Sequence, residues 1–142
     1  MRARPKPPVR APFAVLTRYG PDDKTVTKIA VGISPSLEGG ISELKRWLGE
    51  GVTSNVEVRA EISRFLKQHG ARTLVITPGV FGCPHEEGTD FPEGGDCPHC
   101  PLWKGKQGSG AAVEQRWANL GPRRIVDLRT PGTGWWWYLA TL

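Results

Sequence analysis

All three cysteines of this 142-residue chain lie in one short segment, and this clustering limits what the chain can fold into more than any other feature. Cys83-Pro-His85 and Cys97-Pro-His99-Cys100 enclose eleven residues, and a proline follows each cysteine. An odd number of cysteines cannot close into a disulfide set, whereas Cys-x-x-Cys spacing beside a histidine is typical of a tetrahedral metal site. We therefore expect a loop held by a metal ion, in a reducing, cytoplasmic environment.

The donor types in this loop favour zinc. Zn²⁺ prefers four thiolate or imidazole ligands, and the simplest closed set is Cys83, His85, Cys97 and Cys100. His99 is the competing imidazole, but it lies between the two cysteines of the Cys-x-x-Cys turn, where a side chain normally points away from the ion. We predict a Zn²⁺ site with three thiolates and one imidazole, with His85 preferred to His99.

The same loop contains the skeleton H-x-E…C-x-x-C, which zinc deaminases use with the glutamate as the proton carrier. A zinc-dependent hydrolase using Glu86 or Glu87 is therefore an alternative. Asp96 stands where that signature has proline, and the nine residues between Glu87 and Cys97 are too few for the helix and strand that deaminases place there. Cys83 would also close the position that a catalytic water needs. We expect a non-catalytic site.

Charge is distributed unevenly along the chain. Residues 1–10 carry a charge of +4, residues 81–100 carry −5, and residues 101–142 carry +4. The first group consists of Arg2, Arg4, Lys6 and Arg10. With four prolines among residues 1–12, it predicts a disordered basic arm before a single domain at 13–142. The arm is either a solvated tail or a contact to nucleic acid, DNA or RNA. The acidic loop is either solvated or a patch for a basic protein partner.

Hydrophobic patterning predicts an α+β fold. Strands are expected at 13–19, 25–33, 72–81, 124–129 and 135–142, the first two forming a hairpin with its turn at 20–24. Helical spacing predicts one helix over 41–48 and a second that follows a Ser54–Glu57 capping box and ends at Gly70; a short third helix is an option at 111–120. The middle of strand 72–81 is apolar on both faces, so it should be central. The expected architecture is a small mixed sheet with two helices and a zinc-bound loop after the central strand.

The last strong pattern of the sequence is a run of four consecutive aromatic residues at 135–138. If residues 135–142 form a strand, Trp135 and Trp137 share one face. They are either buried or an exposed stacking platform for bases, flanked by the basic residues Arg123, Arg124 and Arg129. No apolar run is long enough to cross a membrane, and the N-terminus lacks the apolar run of a secretory signal, so no membrane partner is expected.

Two segments resemble an uncharacterised family of small bacterial zinc-binding proteins. They are RYGPDDKTVTKIAVGI, near the N-terminus, and GCPHEEGTDFPEGGDCPHCPLW, the cysteine loop. The family pairs an RYGxDxKTVTKIAVG segment with a GCPHEEGxD(F/Y)PxGxxCPxCPxW box, and its variable residue at position 99 favours His85 as the ligand. The resemblance covers roughly residues 15–104 and implies no established activity.

Together these features predict an intracellular, zinc-stabilised, non-catalytic binding protein associated with nucleic acid or nucleoprotein. The alternatives are a protein–protein adaptor or inhibitor, acting through the acidic zinc loop or the Trp-rich strand, and the zinc hydrolase described above.

Overall fold

One mixed β-sheet organises the chain. The computed structural model describes residues 8–22, 24–77, 79–85, 89–90, 98, 100, 124–129 and 135–136. The strands are β1 (Phe13–Tyr19), β2 (Lys28–Ser34), β3 (Glu43–Leu48), β4 (Thr73–Ile76) and β5 (Arg124–Asp127). Their order is β3-β2-β1-β4-β5; β1 and β4 are parallel, and the other neighbours are antiparallel.

A helix α1 (Val56–Gln68), preceded by a 3-10 turn at Val52–Ser54, connects β3 to β4. The mixed sheet is confirmed, and with its connecting helix it fits the α+β class. The described residues contain one α-helix, however, and not two. The optional helix at 111–120 and residues 137–142 of the last predicted strand lie outside the described residues.

The helix predicted over 41–48 is wrong, because this segment forms β3. Its pattern was ambiguous: Leu44 and Leu48, four residues apart, share a face in a helix and also in a strand. Trp47 is the one buried residue of β3, and it lies on the opposite face. Pairing with β2, which no local pattern reveals, decides between the two structures.

Helix α1 begins one residue later than the capping box implied. The side chain of Asn55, not Ser54, caps it: Asn55 Oδ1 accepts hydrogen bonds from the backbone N–H groups of Glu57 at 2.9 Å and Val58 at 3.2 Å. The C-terminal stop at Gly70 is confirmed, with a φ of 63° that favours glycine. His69, the C-cap residue of α1, packs edge-on against Phe65, with ring centroids 4.7 Å apart.

The core lies between α1 and one face of the sheet. It contains side chains of every strand, of the 3-10 turn and of the helix, and Trp135. These residues are Ala14, Leu16, Ile29, Val31, Ile33, Trp47, Val52, Ile62, Phe65, Leu66, Leu74, Ile76, Val126 and Trp135. Ile29, Val31 and Ile33 lie on the face of β2 that faces this core. The indole N–H of Trp47 donates to Glu61 Oε2 at 2.7 Å, which ties β3 to α1.

The opposite face of the sheet is also partly apolar. Val15, Val75 and Ile125, which are paired across three strands, help to line a groove of about 420 Å³. The Ile41 side chain packs closely over Gly32, and its Cδ1 would lie 3.0 Å from a Cβ at that position.

Several strand boundaries differ from the predictions: β4 ends at Ile76 and not at residue 81, and β5 ends at Asp127 and not at residue 129. β2 begins at Lys28 and not at residue 25, because a longer turn closed by Asp22 precedes it: Asp22 Oδ1 accepts from the N–H groups of Lys24 and Thr25. Trp135 and Trp136 lie in a 3-10 turn, so the final strand does not begin at Trp135. None of the helices in the described part of the chain is long and apolar enough to span a membrane.

Candidate metal centre

Hydrogen bonds to the sheet fix the position of the first cysteine of the loop, Cys83. Beyond β4 the chain continues alongside the end of β1: Phe81 N–H donates to Arg18 O at 2.7 Å, and Gly20 N–H donates to Gly82 O at 2.9 Å. Cys83 therefore leaves the sheet at the carboxyl ends of two parallel strands, an edge where sites often form in sheets of this kind. The loop follows an interior strand, β4, whereas the central strand of the five is β1 and not the strand predicted to be central.

Three of the four predicted ligands in this loop lie together. Cys83 Sγ is 3.1 Å from His85 Nδ1, Cys100 Sγ is 3.5 Å from the same nitrogen, and the three donor atoms lie within 4.8 Å of one another. Tetrahedral zinc with ordinary Zn–S and Zn–N bonds holds sulfur and nitrogen about 3.6 Å apart. The donor types and the spacing therefore fit a metal ion bound through two sulfurs and Nδ1.

The two thiols are withdrawn from solvent while the imidazole is partly open. Cys83 and Cys100 are 3% and 2% exposed, and they form a small apolar cluster with Val80, against which Val26 packs. The backbone N–H of His85 points at Cys83 Sγ, 3.3 Å away, the kind of contact that stabilises a thiolate. A buried thiolate pair without a cation would be costly, so this environment suits a bound metal.

Lys28 connects β2 to this loop. Its side chain is buried, its Nζ donates to the carbonyl of Pro84 at 3.1 Å, and it lies 5.3 Å from the centre of the Tyr19 ring. Pro84 stands between two ligands, so this bond holds the backbone that spaces Cys83 from His85. Lys28 is not among the predicted site residues; its signal in the sequence is a lysine followed by five apolar strand residues.

A second cation, Arg18, is buried in β1. Its guanidinium donates to Thr77 O at 3.0 Å, and burial lowers its pKa to about 10, so it remains charged at neutral pH. Positive charge under this end of the sheet is compatible with a loop that carries thiolates and five carboxylates.

Several predicted site residues lie outside the described residues. They are the fourth ligand Cys97, the competing His99, and the acid/base candidates Glu86 and Glu87. The same is true of Arg2, Arg4, Lys6, Arg123 and Trp137 from the predicted nucleic-acid surface. The metal cluster thus consists of Cys83, His85 and Cys100 in the part of the chain that the structure describes.

The described arginines of the predicted nucleic-acid surface divide between the two ends of the sheet. Arg10 N–H donates to Thr73 Oγ1 at the start of β4, and Arg129 forms an ion pair with Asp127 at 3.1 Å at that same end. The pKa of Asp127 is lowered, first by the side-chain hydrogen bond from Arg129 and with a smaller contribution from the charge of Arg10. Arg124 instead pairs with the last residue of β4, at the end that carries the metal cluster.

The two described tryptophans of the aromatic run have different environments. Trp135 is 5% exposed and belongs to the core, so its ring offers no open face for stacking. Trp136 is 41% exposed and packs edge-on against it, with ring centroids 6.0 Å apart. The exposed indole at this position is therefore Trp136, which the strand-based alternation did not single out.

Comparison with known proteins found no matching family model, no matching curated protein and no matching solved structure. The family resemblance carried by the two sequence segments thus stays a prediction.

Proposed function

We propose that this chain is a zinc-stabilised, non-catalytic binding protein, with Cys97 completing a site formed by Cys83, His85 and Cys100. The observation that carries the proposal is the convergence of two buried sulfurs and one imidazole nitrogen at the carboxyl ends of β1 and β4. Zinc bound there would fix a loop whose described residues contribute a three-residue apolar cluster, Val80, Cys83 and Cys100. With four protein ligands, no position remains for a reacting water.

Metal analysis of the purified full-length protein tests this proposal. We expect one zinc per chain, and loss of that zinc in the variants Cys83→Ser, His85→Gln, Cys97→Ser and Cys100→Ser. His99→Gln is the matched control and should retain the metal. A spectrum of the cobalt-substituted protein should show three thiolates and one imidazole. A water ligand in that spectrum would contradict the non-catalytic assignment and favour the hydrolase that uses Glu86 or Glu87.

The proposed partner is nucleic acid, DNA or RNA, and the proposed contact is the end of the sheet away from the metal. The seven residues of β1 place the two ends about 20 Å apart. Cys83, after which the acidic segment of the sequence follows, lies at one end; Arg10, the last basic residue of the arm, lies at the other with Arg129 and the exposed Arg72. This separation supports a contact in which basic groups meet phosphates without repulsion from the loop carboxylates.

Two double variants, each of which removes two positive charges, test the location of the contact. Arg72→Ala with Arg129→Ala alters the basic end, and Lys24→Ala with Arg124→Ala alters the metal end. We expect the first pair to weaken binding of the zinc-loaded protein to nucleic acid and to lower the slope of log K against log salt by about 0.9 per lost phosphate contact on duplex DNA.

The control pair should leave that slope close to the wild-type value. Equal losses of nucleic-acid affinity in the two double variants would contradict the proposed location of the contact. Absence of any salt-dependent binding would refute the nucleic-acid part, leave the zinc site intact, and favour a protein partner instead.

A further inference from the structure

Two of the three cysteines lie close enough in the fold to react with each other. Cys83 Sγ and Cys100 Sγ lie within 4.8 Å of one another, and both contact His85 Nδ1. Neither sulfur is part of a disulfide. An S–S bond is about 2.05 Å long, so a small approach of the two sulfurs is all that separates this contact from a covalent bond.

The fold holds this pair together. Cys83 directly follows Phe81 and Gly82, whose backbone groups are hydrogen-bonded to the end of β1. Cys83 and Cys100 are buried with Val80 in one apolar cluster. Because both sulfurs are withdrawn from solvent, a sulfur that is oxidised in this cluster meets the second sulfur before it meets a thiol in solution.

Sequence spacing and tertiary structure favour different cysteine pairs. Spacing alone favours Cys97 with Cys100, because a short loop closes more readily than a long one. The contact in the fold favours Cys83 with Cys100. We propose that hydrogen peroxide oxidises this loop to a Cys83–Cys100 disulfide and that the disulfide displaces the zinc. The displacement rests on the function proposed above, whereas the choice of cysteine pair does not.

The reaction balances with peroxide as the oxidant, which is small enough for a buried site. One thiolate attacks a peroxide oxygen: an S–O bond forms, the O–O bond breaks, and the departing hydroxide takes a proton from solvent and leaves as water. The second thiolate then attacks the sulfur of this sulfenic acid, so that the S–S bond forms and the S–O bond breaks. The oxygen leaves as a second water after protonation. The two sulfurs lose two electrons, and the peroxide gains them.

Disulfide formation removes two of the four proposed ligands. The thiolate is the form of cysteine that binds a metal, so the ion would retain only His85 and Cys97 and would be released. The new covalent bond closes the same loop that the zinc closed. We therefore expect the sheet and α1 to remain folded while the loop changes from a metal-bound to a disulfide-bonded state.

Peroxide treatment of the zinc-loaded full chain tests the proposal. A chromophoric indicator measures the released zinc, and peptide mapping after alkylation identifies the linked cysteines. We expect one zinc released per disulfide, a Cys83–Cys100 link, and an alkylated Cys97. Dithiothreitol should restore zinc binding, and the far-ultraviolet circular dichroism spectrum should remain that of the folded protein.

Two comparisons isolate the effect of the fold. A synthetic peptide of residues 82–103 contains the same cysteines without the sheet, and it should form mainly the Cys97–Cys100 link. In the full chain, Cys97→Ser should still form the Cys83–Cys100 link even if this variant binds no zinc. The cysteine pair is thus tested independently of the metal.

Three results would contradict the proposal. A Cys97–Cys100 link or an intermolecular link as the main product in the folded wild type would overturn the choice of pair. Retention of zinc and of all three thiols under conditions that fully oxidise the peptide would overturn the reaction. A chain that binds no zinc but forms the Cys83–Cys100 link would refute the proposed function and the displacement, and it would confirm the pair.

Discussion

Replacing Lys28 with methionine tests how the sheet supports the metal loop. Methionine retains the length and most of the apolar contact of lysine, but it removes the ammonium group that donates to Pro84 O at 3.1 Å. The same substitution removes the cation that lies 5.3 Å from the Tyr19 ring centre. The carbonyl between Cys83 and His85 would then lose this donor, and the spacing of the two ligands would be less well fixed.

The expected effect follows from this contact. A hydrogen bond from a charged donor contributes about 1.5–3 kcal/mol in a buried setting, and the contact to the ring adds less than that. Because about 1.4 kcal/mol corresponds to a factor of ten, we expect zinc affinity to fall by about 10- to 100-fold. This is also the range for residues that orient metal ligands without touching the ion.

Competition with a chromophoric chelator would measure that affinity in the wild type and in Lys28→Met. Lys45→Met is the matched control, because Lys45 lies 5.4 Å from the centre of the Trp47 ring but on β3, away from the loop. The two variants should differ in zinc affinity and not merely in thermal stability. Equal zinc affinity in Lys28→Met and Lys45→Met would refute the reasoning.

Three further predictions concern the scaffold. Asn55→Ala should lower the free energy of unfolding by about 1 kcal/mol through loss of the helix cap, whereas Ser54→Ala should change it less. Chemical denaturation measures both effects, and the reverse order would indicate that Ser54 is the cap. Gly20→Ala should destabilise the protein by about 3 kcal/mol or more, because the added Cβ would overlap the carbonyl oxygen of Thr25; an unchanged melting temperature would contradict this close approach. The pKa of Asp22 is lowered in the folded state, first by the hydrogen bond from the backbone N–H of Lys24. The Asp22 carboxylate should therefore stabilise the fold above about pH 4, and this contribution should be lost as the pH falls through the folded-state pKa. The free energies of unfolding of the wild type and Asp22→Asn should thus converge at low pH and differ at higher pH.

Local sequence signals were sufficient for those features that depend on residues close together in the chain. The Cys-x-x-Cys loop with its upstream Cys-Pro-His indicated the metal cluster, and Cys83, His85 and Cys100 lie where this interpretation requires. Gly70 ended α1 as expected, because a left-handed residue at a helix terminus is a local requirement. The apolar centre of β4 likewise indicated a strand inside the sheet.

The tertiary structure determined the features that the local sequence pattern left ambiguous or did not indicate. Leu44 and Leu48 satisfy a helix and a strand equally well, and only hydrogen bonding to β2 selects the strand. Lys28 contacts the metal loop across 56 residues of chain, and the charge of Arg10 acts on Asp127, the ion-pair partner of Arg129, only because β4 and β5 pair. Spacing along the chain determines which side chains can serve as ligands or caps, whereas contacts between distant segments depend on the register of the sheet, and no local pattern specifies that register.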